Sequence, residues 1–290
     1  MFGGEITILQ WLEQFRSPFW NGFWETVTLF GEDILFIFLI AALYFLYHKK
    51  TAYRICFLMA TSLLTNGILK NIIKLPRPFA DGKVSCVRPE TATGYSFPSG
   101  HTQTVTTWSV LLADYFGKKV YLILAAAVSV LVGFSRMFLG AHYLSDVVFS
   151  LFLGSLIAIL GNRIYDKASN HHTLYLGALV LFTPFFVWFL IAPDPHFEDF
   201  FKCFGLLGGF LVSVKLEETY VNLNESVSFL KKVLRMLLGV FLALMLKGAL
   251  SLIAVPQALR MSLLWDSLCY FVLVFLIFGI YPLLLKKLNW

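Results

Sequence analysis

The sequence predicts an all-α membrane protein, a polytopic bundle of about nine transmembrane helices with an interfacial helix at its N-terminus. Of its 290 residues, 58% are hydrophobic and only 14% are charged, whereas an average soluble domain has roughly 45–50% apolar and about 25% charged residues. The mean hydropathy is +0.76, and phenylalanine alone occurs 30 times. These numbers indicate a chain that folds in a lipid bilayer, and we expect a single membrane domain over residues 1–290.

The first 26 residues are expected to lie at the membrane surface. Apolar side chains recur near helical spacing within residues 5–25, and the charged side chains face elsewhere. An amphipathic helix of this kind lies in the plane of the interface, and Trp20 and Trp24 are expected at headgroup level. An additional short span is the alternative.

Nine apolar runs follow, each near the roughly 20 residues that a helix needs to cross the hydrocarbon core. The third and seventh runs are short, and a tight turn is expected at 117–119 between the third and the fourth. Residues 27–165 are expected to form the catalytic core helices, and residues 166–290 to add further C-terminal spans. The nine runs are 27–47, 52–72, 100–117, 119–138, 143–163, 173–193, 199–215, 228–254 and 262–285.

Lysine and arginine are concentrated in alternate loops, and such loops stay in the cytoplasm. This rule puts the N-terminus outside and the C-terminus inside. The cations on the predicted cytoplasmic side are Lys49, Lys50, Arg54, Lys118, Lys119, Arg163, Lys167, Lys215, Lys231, Lys232, Arg235, Lys286 and Lys287.

A second group of cations then lies on the outer face, against that rule. Interaction of long side chains with headgroups could account for Lys74 and Lys83 but hardly for the whole group. An anionic ligand explains a one-sided cluster better. Its members are Lys70, Lys74, Arg77, Lys83, Arg88 and Arg136.

Three short blocks at the ends of apolar runs hold most of these groups. They are KNIIKLPRP at 70–78, PSGH at 98–101 and SRMFLGAHYLSD at 135–146. In the second block, Ser99 is placed to cap the following helix and Gly100 allows a close backbone approach, so that free N–H groups could bind an anion. An ordinary capped helix is the default interpretation of this block alone.

The basic residues of the first and third blocks make an anion site more plausible. Lys70 and Arg77 bracket the point where the second span leaves the membrane, and Arg136 lies at the outer end of the fourth. A guanidinium can bind two phosphate oxygens at once, while lysine supplies a point charge. Each cation alone is more simply a surface charge, but together they fit an oxyanion site.

His142 and Asp146 are four residues apart at the start of the fifth span, which places them on one helix face. A carboxylate that accepts from one ring nitrogen fixes the tautomer and makes the other nitrogen more nucleophilic. A lone histidine there would more often be an interfacial hydrogen-bonding group. Beside an arginine cluster, this pair is a candidate nucleophile with its orienting group.

The three blocks resemble the signature of the type 2 phosphatidic acid phosphatase superfamily. That pattern is Lys, six residues, Arg-Pro; then Pro-Ser-Gly-His; then Ser-Arg, five residues, His, three residues, Asp. No position departs from it between residues 70 and 146. The matching residues are Lys70, Arg77, Pro78, Pro98, Ser99, Gly100, His101, Ser135, Arg136, His142 and Asp146.

The resemblance implies a two-step phosphomonoesterase without a metal or another cofactor. His142 would attack phosphorus and Asp146 would orient it, while His101 would protonate the leaving group and then activate water. Outside the blocks, the sequence has no Asp, Glu and His cluster with metal-ligand spacing. The residues expected to bind the phosphate oxygens are Lys70, Arg77, Ser99, Gly100 and Arg136.

A site at helix ends suits a phosphorylated lipid whose tails stay in the membrane, on the non-cytoplasmic face. Membrane lipids are the expected surroundings, no nucleic-acid partner is expected, and the oligomeric state stays open. Members similar to glucose-6-phosphatase, which act on a soluble sugar phosphate, are an alternative, as are those similar to sphingosine-1-phosphate or undecaprenyl diphosphate phosphatases. A phosphate-compound transporter is a less favoured alternative, because no inverted repeat is found. A vanadate-dependent haloperoxidase, which shares the blocks, would be soluble.

Lys247 is the unusual charge of the C-terminal part. It lies within an apolar run, where a lysine costs about 2.5–3.5 kcal/mol on insertion scales. We therefore predict that it points into the bundle, with Asp266 as its nearest partner in sequence.

Overall fold

The computed structural model describes residues 3–253 and 258–290, and within these ranges its regular structure is helical, with no strand. The predicted all-α class is confirmed. The α-helices are α1 Gly3–Glu13, α2 Pro18–Thr28, α3 Asp33–Ala42, α4 Lys49–Ile73, α5 Gly100–Phe116, α6 Lys119–Phe138, α7 Leu144–Lys167, α8 His171–Ile191, α9 Glu198–Leu216, α10 Phe229–Ser251, α11 Leu259–Phe275 and α12 Tyr281–Lys287. Short 3₁₀ or π segments occur at Leu29–Gly31, Leu43–Tyr47, Pro89–Thr91, Pro195–Phe197, Glu217–Val221 and Leu276–Ile280.

Six helical segments in the described part of the chain are long and apolar enough to cross a membrane. The number becomes seven if Pro18–Gly31 and Asp33–Tyr47, bent by 48° relative to each other, form one broken span. The predicted number of nine is not confirmed. When the broken span is counted, two predicted runs remain outside the set. They correspond to α5 and α9, the third and seventh runs, which the sequence already marks as short.

The N-terminal segment is two helices rather than the single one predicted over residues 5–25. Pro18 occupies the first turn of α2, and the Ser17 side chain accepts a hydrogen bond from Trp20 N at 3.4 Å as the N-cap. Proline is tolerated there but breaks a helix interior. Trp20 is exposed, as an interfacial residue would be, but the Trp24 ring packs against Phe134 at 4.8 Å between centroids. The interfacial placement of this segment is not confirmed.

The helices form two compact units along the chain. The first unit contains the residues up to Phe36 together with Thr65–Ile164, and the second contains Ile37–Leu64 and the residues from Tyr165 onward. All three sequence blocks lie in the first unit.

Helix α5 belongs to the first unit, is largely buried and is rich in small polar residues. Thr106 Oγ1 donates to Thr102 O at 2.7 Å, and Thr107 Oγ1 donates to Gln103 O at 2.8 Å. These bonds satisfy hydroxyls that would be costly to bury alone. Gly117, with φ 68°, ends the helix just before α6 begins, which confirms the tight turn. The helix is thus buried although its hydropathy is modest.

The second unit is built around α9, which packs along α11. At one end of this unit, the Lys49 ammonium lies 3.0 Å from the buried carboxylate of Glu217, to which the Tyr53 hydroxyl also donates at 2.9 Å. A buried ion pair needs such additional hydrogen bonds to offset the cost of removing its charges from water.

The prediction that Lys247 points into the bundle is wrong. Its side chain is exposed on α10, four residues before the helix ends. A long lysine stem on the surface of a helix can place its ammonium nearer the polar layer than its own Cα. The pairing with Asp266 stays a prediction.

Candidate active site

His142 lies in the loop between α6 and α7 and is only 1% exposed. Its Nδ1 is 3.2 Å from Asp146 Oδ2, and its Nε2 is 2.9 Å from Arg77 Nη1. A guanidinium can only donate, so Nε2 is the acceptor and Nδ1 carries the proton that is donated to Asp146. The expected pair is therefore formed, although His142 precedes the first turn of α7 instead of sharing a helix face with Asp146.

Asp146 is completely buried and fixed by three donors on one oxygen. Besides His142, the hydroxyl of Ser96 and the backbone N–H of Tyr143, at 2.9 Å, donate to its Oδ2. A carboxylate with several donors stays in one orientation and is a strong acceptor for an imidazole. No sequence pattern pointed to Ser96, which lies 50 residues upstream.

Arg77 is held by backbone carbonyl groups on two sides. Its Nε donates to Gly94 O at 3.1 Å, its Nη1 to Ala141 O at 3.0 Å, and its Nη2 to Thr93 O. Arg77 as a whole residue is 7% exposed. Its position beside His142 is thus set before any ligand arrives, which lowers the reorganisation needed on binding.

Arg136 is 0% exposed and bound by two threonines that the sequence did not indicate. Its Nη1 donates to Thr28 Oγ1 at 3.2 Å and to Thr91 Oγ1 at 3.3 Å, and its Nη2 donates to Thr91 O at 3.4 Å. The buried Nε has no hydrogen-bond partner among the described residues. A buried cation with an unused donor is costly, which makes it a candidate for binding an anion.

His101 stands in the first turn of α5, and its buried Nε2 also lacks a partner within the part of the chain described. Gly31 packs against the His101 backbone so closely that a Cβ at residue 31 would be 2.8 Å from His101 Cβ and 2.9 Å from its carbonyl oxygen. Glycine is therefore required at this contact. The free ring nitrogen is a group that can exchange a proton with a bound ligand.

The remaining predicted residues lie around these groups. Ser99 is the predicted N-cap, with its Oγ 3.4 Å from Thr102 N and 2.9 Å from Thr102 Oγ1, so its hydroxyl is engaged within the protein. A Cβ on Gly100 would meet only Asn66 Oδ1, at 3.9 Å, which leaves space at this helix end. Lys70 is 8% exposed in the last turn of α4.

Burial and the nearby cations both change the pKa of His142. Burial lowers the pKa of His142 well below its usual value, and the charges of Arg77, Arg136 and Lys70 lower it further. The imidazole is therefore neutral at neutral pH. A neutral ring with a protonated Nδ1 has its lone pair on Nε2, which is the form that a nucleophile needs.

Throughout residues 3–253 and 258–290, no group of three or more His, Cys, Asp and Glu side chains has the arrangement of a metal site. The cations here are the protein's own guanidinium and ammonium groups. That the reaction needs no added metal stays a prediction from the resemblance.

Two family models match the chain: PAP2 superfamily over residues 51–170, and PAP2 superfamily phosphatase, transmembrane extension, over residues 201–290. Phosphatidylglycerophosphatase B of Bacillus subtilis is 30% identical over 165 residues, which are 52% of this chain and 78% of that protein. Undecaprenyl-diphosphatase of Sulfolobus acidocaldarius is 28% identical over 145 residues, 50% of this chain and 70% of that protein.

A solved structure gives the same result at the level of the fold. The crystal structure of a transmembrane PAP2-type phosphatidylglycerolphosphate phosphatase from Bacillus subtilis matches with a TM-score of 0.51 at 27% identity, over 58% of this chain and 87% of that chain. The three blocks lie within the part matched by the first family model. The chain is therefore a multi-pass membrane protein and belongs to the PAP2 superfamily of phosphatases.

Proposed function

We propose that this protein is a metal-independent phosphatase that hydrolyses a lipid phosphate monoester or diphosphate at the non-cytoplasmic membrane face through a phosphohistidine. The observation that carries the proposal is the position of the His142 imidazole, held between the carboxylate of Asp146 and the guanidinium of Arg77. One neighbour orients the nucleophile, and the other can bind the group that it attacks.

In the first step, the Nε2 lone pair of His142 attacks phosphorus and the bond from phosphorus to the leaving oxygen breaks. That lone pair accepts from Arg77 Nη1 at 2.9 Å. Attack therefore requires Arg77 to transfer this hydrogen bond to a phosphate oxygen, which couples phosphate binding to release of the nucleophile. The positive charge that develops on the ring is stabilised by Asp146. Burial and the charges of Arg136 and Lys70 lower the pKa of His101 well below its usual value. His101 therefore takes up its proton when the anionic phosphate binds beside it, and gives this proton to the leaving oxygen.

In the second step, a water molecule attacks the phosphohistidine. His101, now neutral, accepts the water proton, and the bond between phosphorus and His142 Nε2 breaks to release phosphate. The buried Arg136 Nε, together with Lys70 and Arg77, binds the equatorial oxygens in both steps. Gly100 supplies its backbone N–H at the start of α5, and Ser99 acts mainly by capping that helix.

The lipid substrate is supported by the surroundings and by the relatives. Two relatives are named for lipid substrates, as phosphatidylglycerophosphatase B and undecaprenyl-diphosphatase. The site lies in a unit that contains the candidate spans α6 and α7, so that a lipid could keep its tails in the bilayer while its phosphate reaches His142.

A substrate panel tests this assignment. Phosphate release is measured in the presence of a chelator for phosphatidic acid, phosphatidylglycerophosphate, sphingosine-1-phosphate, undecaprenyl diphosphate and a hexose phosphate. We expect kcat/KM for at least one lipid to exceed that for the hexose phosphate by about 100-fold, because binding energy from the lipid can be used at the reacting centre. Preference for the hexose phosphate would contradict the lipid assignment, and release only after a metal is restored would contradict the metal-independent chemistry.

The lowered pKa of His142 predicts a pH profile. In His101→Ala protein supplied with an aryl phosphate, whose leaving group needs no proton, phosphoenzyme formation depends on neutral His142. Its rate should stay constant as the pH falls through about 6.5, the ordinary imidazole pKa, and decline only below that. Two aryl phosphates with different phosphate pKa values serve as a control. A decline at the same pH for both comes from the protein, and a decline that differs between them comes from the substrate. A common decline at or above 6.5 would show that His142 is not shifted.

Labelling of introduced cysteines tests the face of the membrane. Lys83, in the loop that follows the first block, and Lys118, in the turn between α5 and α6, are both exposed. With the four native cysteines replaced, a membrane-impermeant maleimide should label Lys83→Cys in intact cells and Lys118→Cys only after the membrane is opened. The reverse pattern would place the site on the cytoplasmic face.

A further inference from the structure

Helix α1 packs directly against the loop that carries His142, although it lies before residue 51, where the family match begins. Leu9 and Leu12 of α1 are buried in one cluster with Met137, Phe138 and Leu139. The side of α1 that carries Leu9 and Leu12 is therefore covered by this part of the protein, while Trp11 stays exposed.

Arg16 joins the end of α6 to the loop that follows the first block. Its Nε donates to Phe138 O at 2.9 Å, and its Nη1 donates to Ser85 O at 3.0 Å and to Ser85 Oγ at 2.7 Å. Glu13 lies 3.1 Å from the same Nη1. The Arg16 side chain is 8% exposed. Its bond to Phe138 O is partly buried and therefore less weakened by water, whereas its bonds to Ser85 lie at the surface.

Gly140 shows how little room this arrangement leaves. Its φ is 77°, and a Cβ added there would be 2.1 Å from Ser85 O and 2.8 Å from Arg16 Nη2. Only glycine fits such a position. The loop that leads to His142 thus leaves α6 pressed against Arg16 and its partner Ser85.

Glu5 holds the other end of the same loop. Its Oε1 accepts from Ser145 N at 2.7 Å, and its Oε2 is 3.3 Å from Ser145 Oγ. Ser145 is the second residue of α7, where backbone N–H groups have no partner within the helix and a carboxylate is favoured by the helix dipole. The residue that follows is Asp146.

We propose that Glu5 and Arg16 are positioning residues that fix the two ends of the segment 138–145 and thereby hold His142 in register with Asp146 and Arg77. The proposal rests on the function assigned above to His142. Arg16 fixes the segment where it leaves α6, and Glu5 fixes it where α7 begins. Because misplacement of a nucleophile by about 1 Å can cost 100-fold in rate, loosening either end should lower kcat rather than substrate affinity.

The test compares Arg16→Met and Glu5→Ala with two matched variants. Gln10→Ala removes a bond of the same type from the same helix, since Gln10 Nε2 donates to Lys83 O at 3.2 Å, outside the His142 segment. Glu5→Gln keeps an oxygen that can accept from Ser145 N. We expect kcat to fall about tenfold or more in Arg16→Met and Glu5→Ala, with KM changed less than about twofold, and to stay near wild type in Gln10→Ala and Glu5→Gln.

A second readout does not depend on catalysis. Hydrogen–deuterium exchange of the peptide that spans residues 138–145 should be about tenfold faster in Arg16→Met and Glu5→Ala than in the wild type and in Gln10→Ala. If Arg16→Met fails to fold, Arg16→Lys replaces it, because lysine keeps the charge but cannot bind Phe138 O and Ser85 in a planar fork.

The outcomes distinguish a failure of the positioning role from a failure of the proposed phosphatase function. Wild-type protein that is inactive on every substrate contradicts the proposed function, while the exchange experiment still tests the contacts made by Glu5 and Arg16. With active wild-type protein, unchanged exchange, unchanged kcat or an effect confined to KM overturns the positioning role. An equal loss of kcat in Gln10→Ala would mean that general packing of α1 causes the effect, and would also overturn the positioning role.

Discussion

Replacement of His142 by alanine is expected to abolish phosphate release, with a loss of at least about 10⁴-fold in kcat, as is typical when a nucleophile that forms a covalent intermediate is removed. The methyl group that remains has no lone pair to attack phosphorus, and the guanidinium of Arg77 loses the ring nitrogen to which its Nη1 donates. Release of phosphate from the preferred lipid of the panel, in detergent or in vesicles, measures the effect.

A matched variant guards against a general effect of removing an imidazole. His171 is exposed, stacks on Tyr165 in the second unit, and is expected to be replaceable by alanine without loss of activity. Thermal unfolding of both variants checks that they fold. Residual activity of His142→Ala above about 1% of the wild type would exceed what the remaining phosphate-binding groups can supply without a nucleophile.

The intermediate itself distinguishes a nucleophile from a residue that only binds. When His101→Ala protein is supplied with an aryl phosphate, the leaving aryl group needs no proton. Water is no longer activated, however, so phosphate should accumulate on the protein. A phosphohistidine is labile in acid and stable in alkali, and tryptic mapping should place it at His142. We expect label in His101→Ala and no label in the double variant His101→Ala/His142→Ala. Label on another residue would contradict the mechanism.

The sequence predicted the eight candidate residues because they occur in short blocks, and the structure places all eight in the first unit. It did not indicate Ser96, Thr28 or Thr91, which bind Asp146 and Arg136. Serine and threonine are common in loops and helix ends, and nothing in their local pattern distinguishes the few that reach a distant buried charge. Such partners are determined by tertiary contacts alone.

The number of spans is ambiguous in the sequence for a different reason. Hydropathy measures how apolar a helix is, but α5 is buried by protein and can therefore carry threonines that bond to its own backbone. In the N-terminal segment, the apolar residues of α1 are predicted to lie at the membrane surface. Leu9 and Leu12 instead pack against Met137 and its neighbours, whereas Trp11 and Phe15 are exposed. An apolar stripe shows that a helix face is buried but does not show whether lipid or protein buries it.

Replacement of Asp146 by asparagine is expected to lower kcat by roughly 10³–10⁴-fold, the range seen when the carboxylate that orients a catalytic histidine becomes an amide. The amide has two possible orientations in the site. With its oxygen towards His142 Nδ1 it keeps the bonds from Ser96 and Tyr143, but a neutral acceptor stabilises the developing imidazolium less. With its NH₂ towards Nδ1 it forces the proton onto Nε2 and removes the attacking lone pair.

Ser96→Ala provides the graded comparison for this prediction. It removes one of the donors to Asp146 Oδ2 while the carboxylate, the His142 contact and the bond from Tyr143 N remain. Its kcat should fall only about three- to tenfold, the effect expected for a residue that supports the orientation of another. Because both variants alter the same oxygen, a loss in Asp146→Asn no larger than that in Ser96→Ala would mean that the charge of Asp146 is dispensable. The role of Asp146 would then be limited to holding the loop, and stabilisation of the phosphorylated ring would have to come from elsewhere in the site.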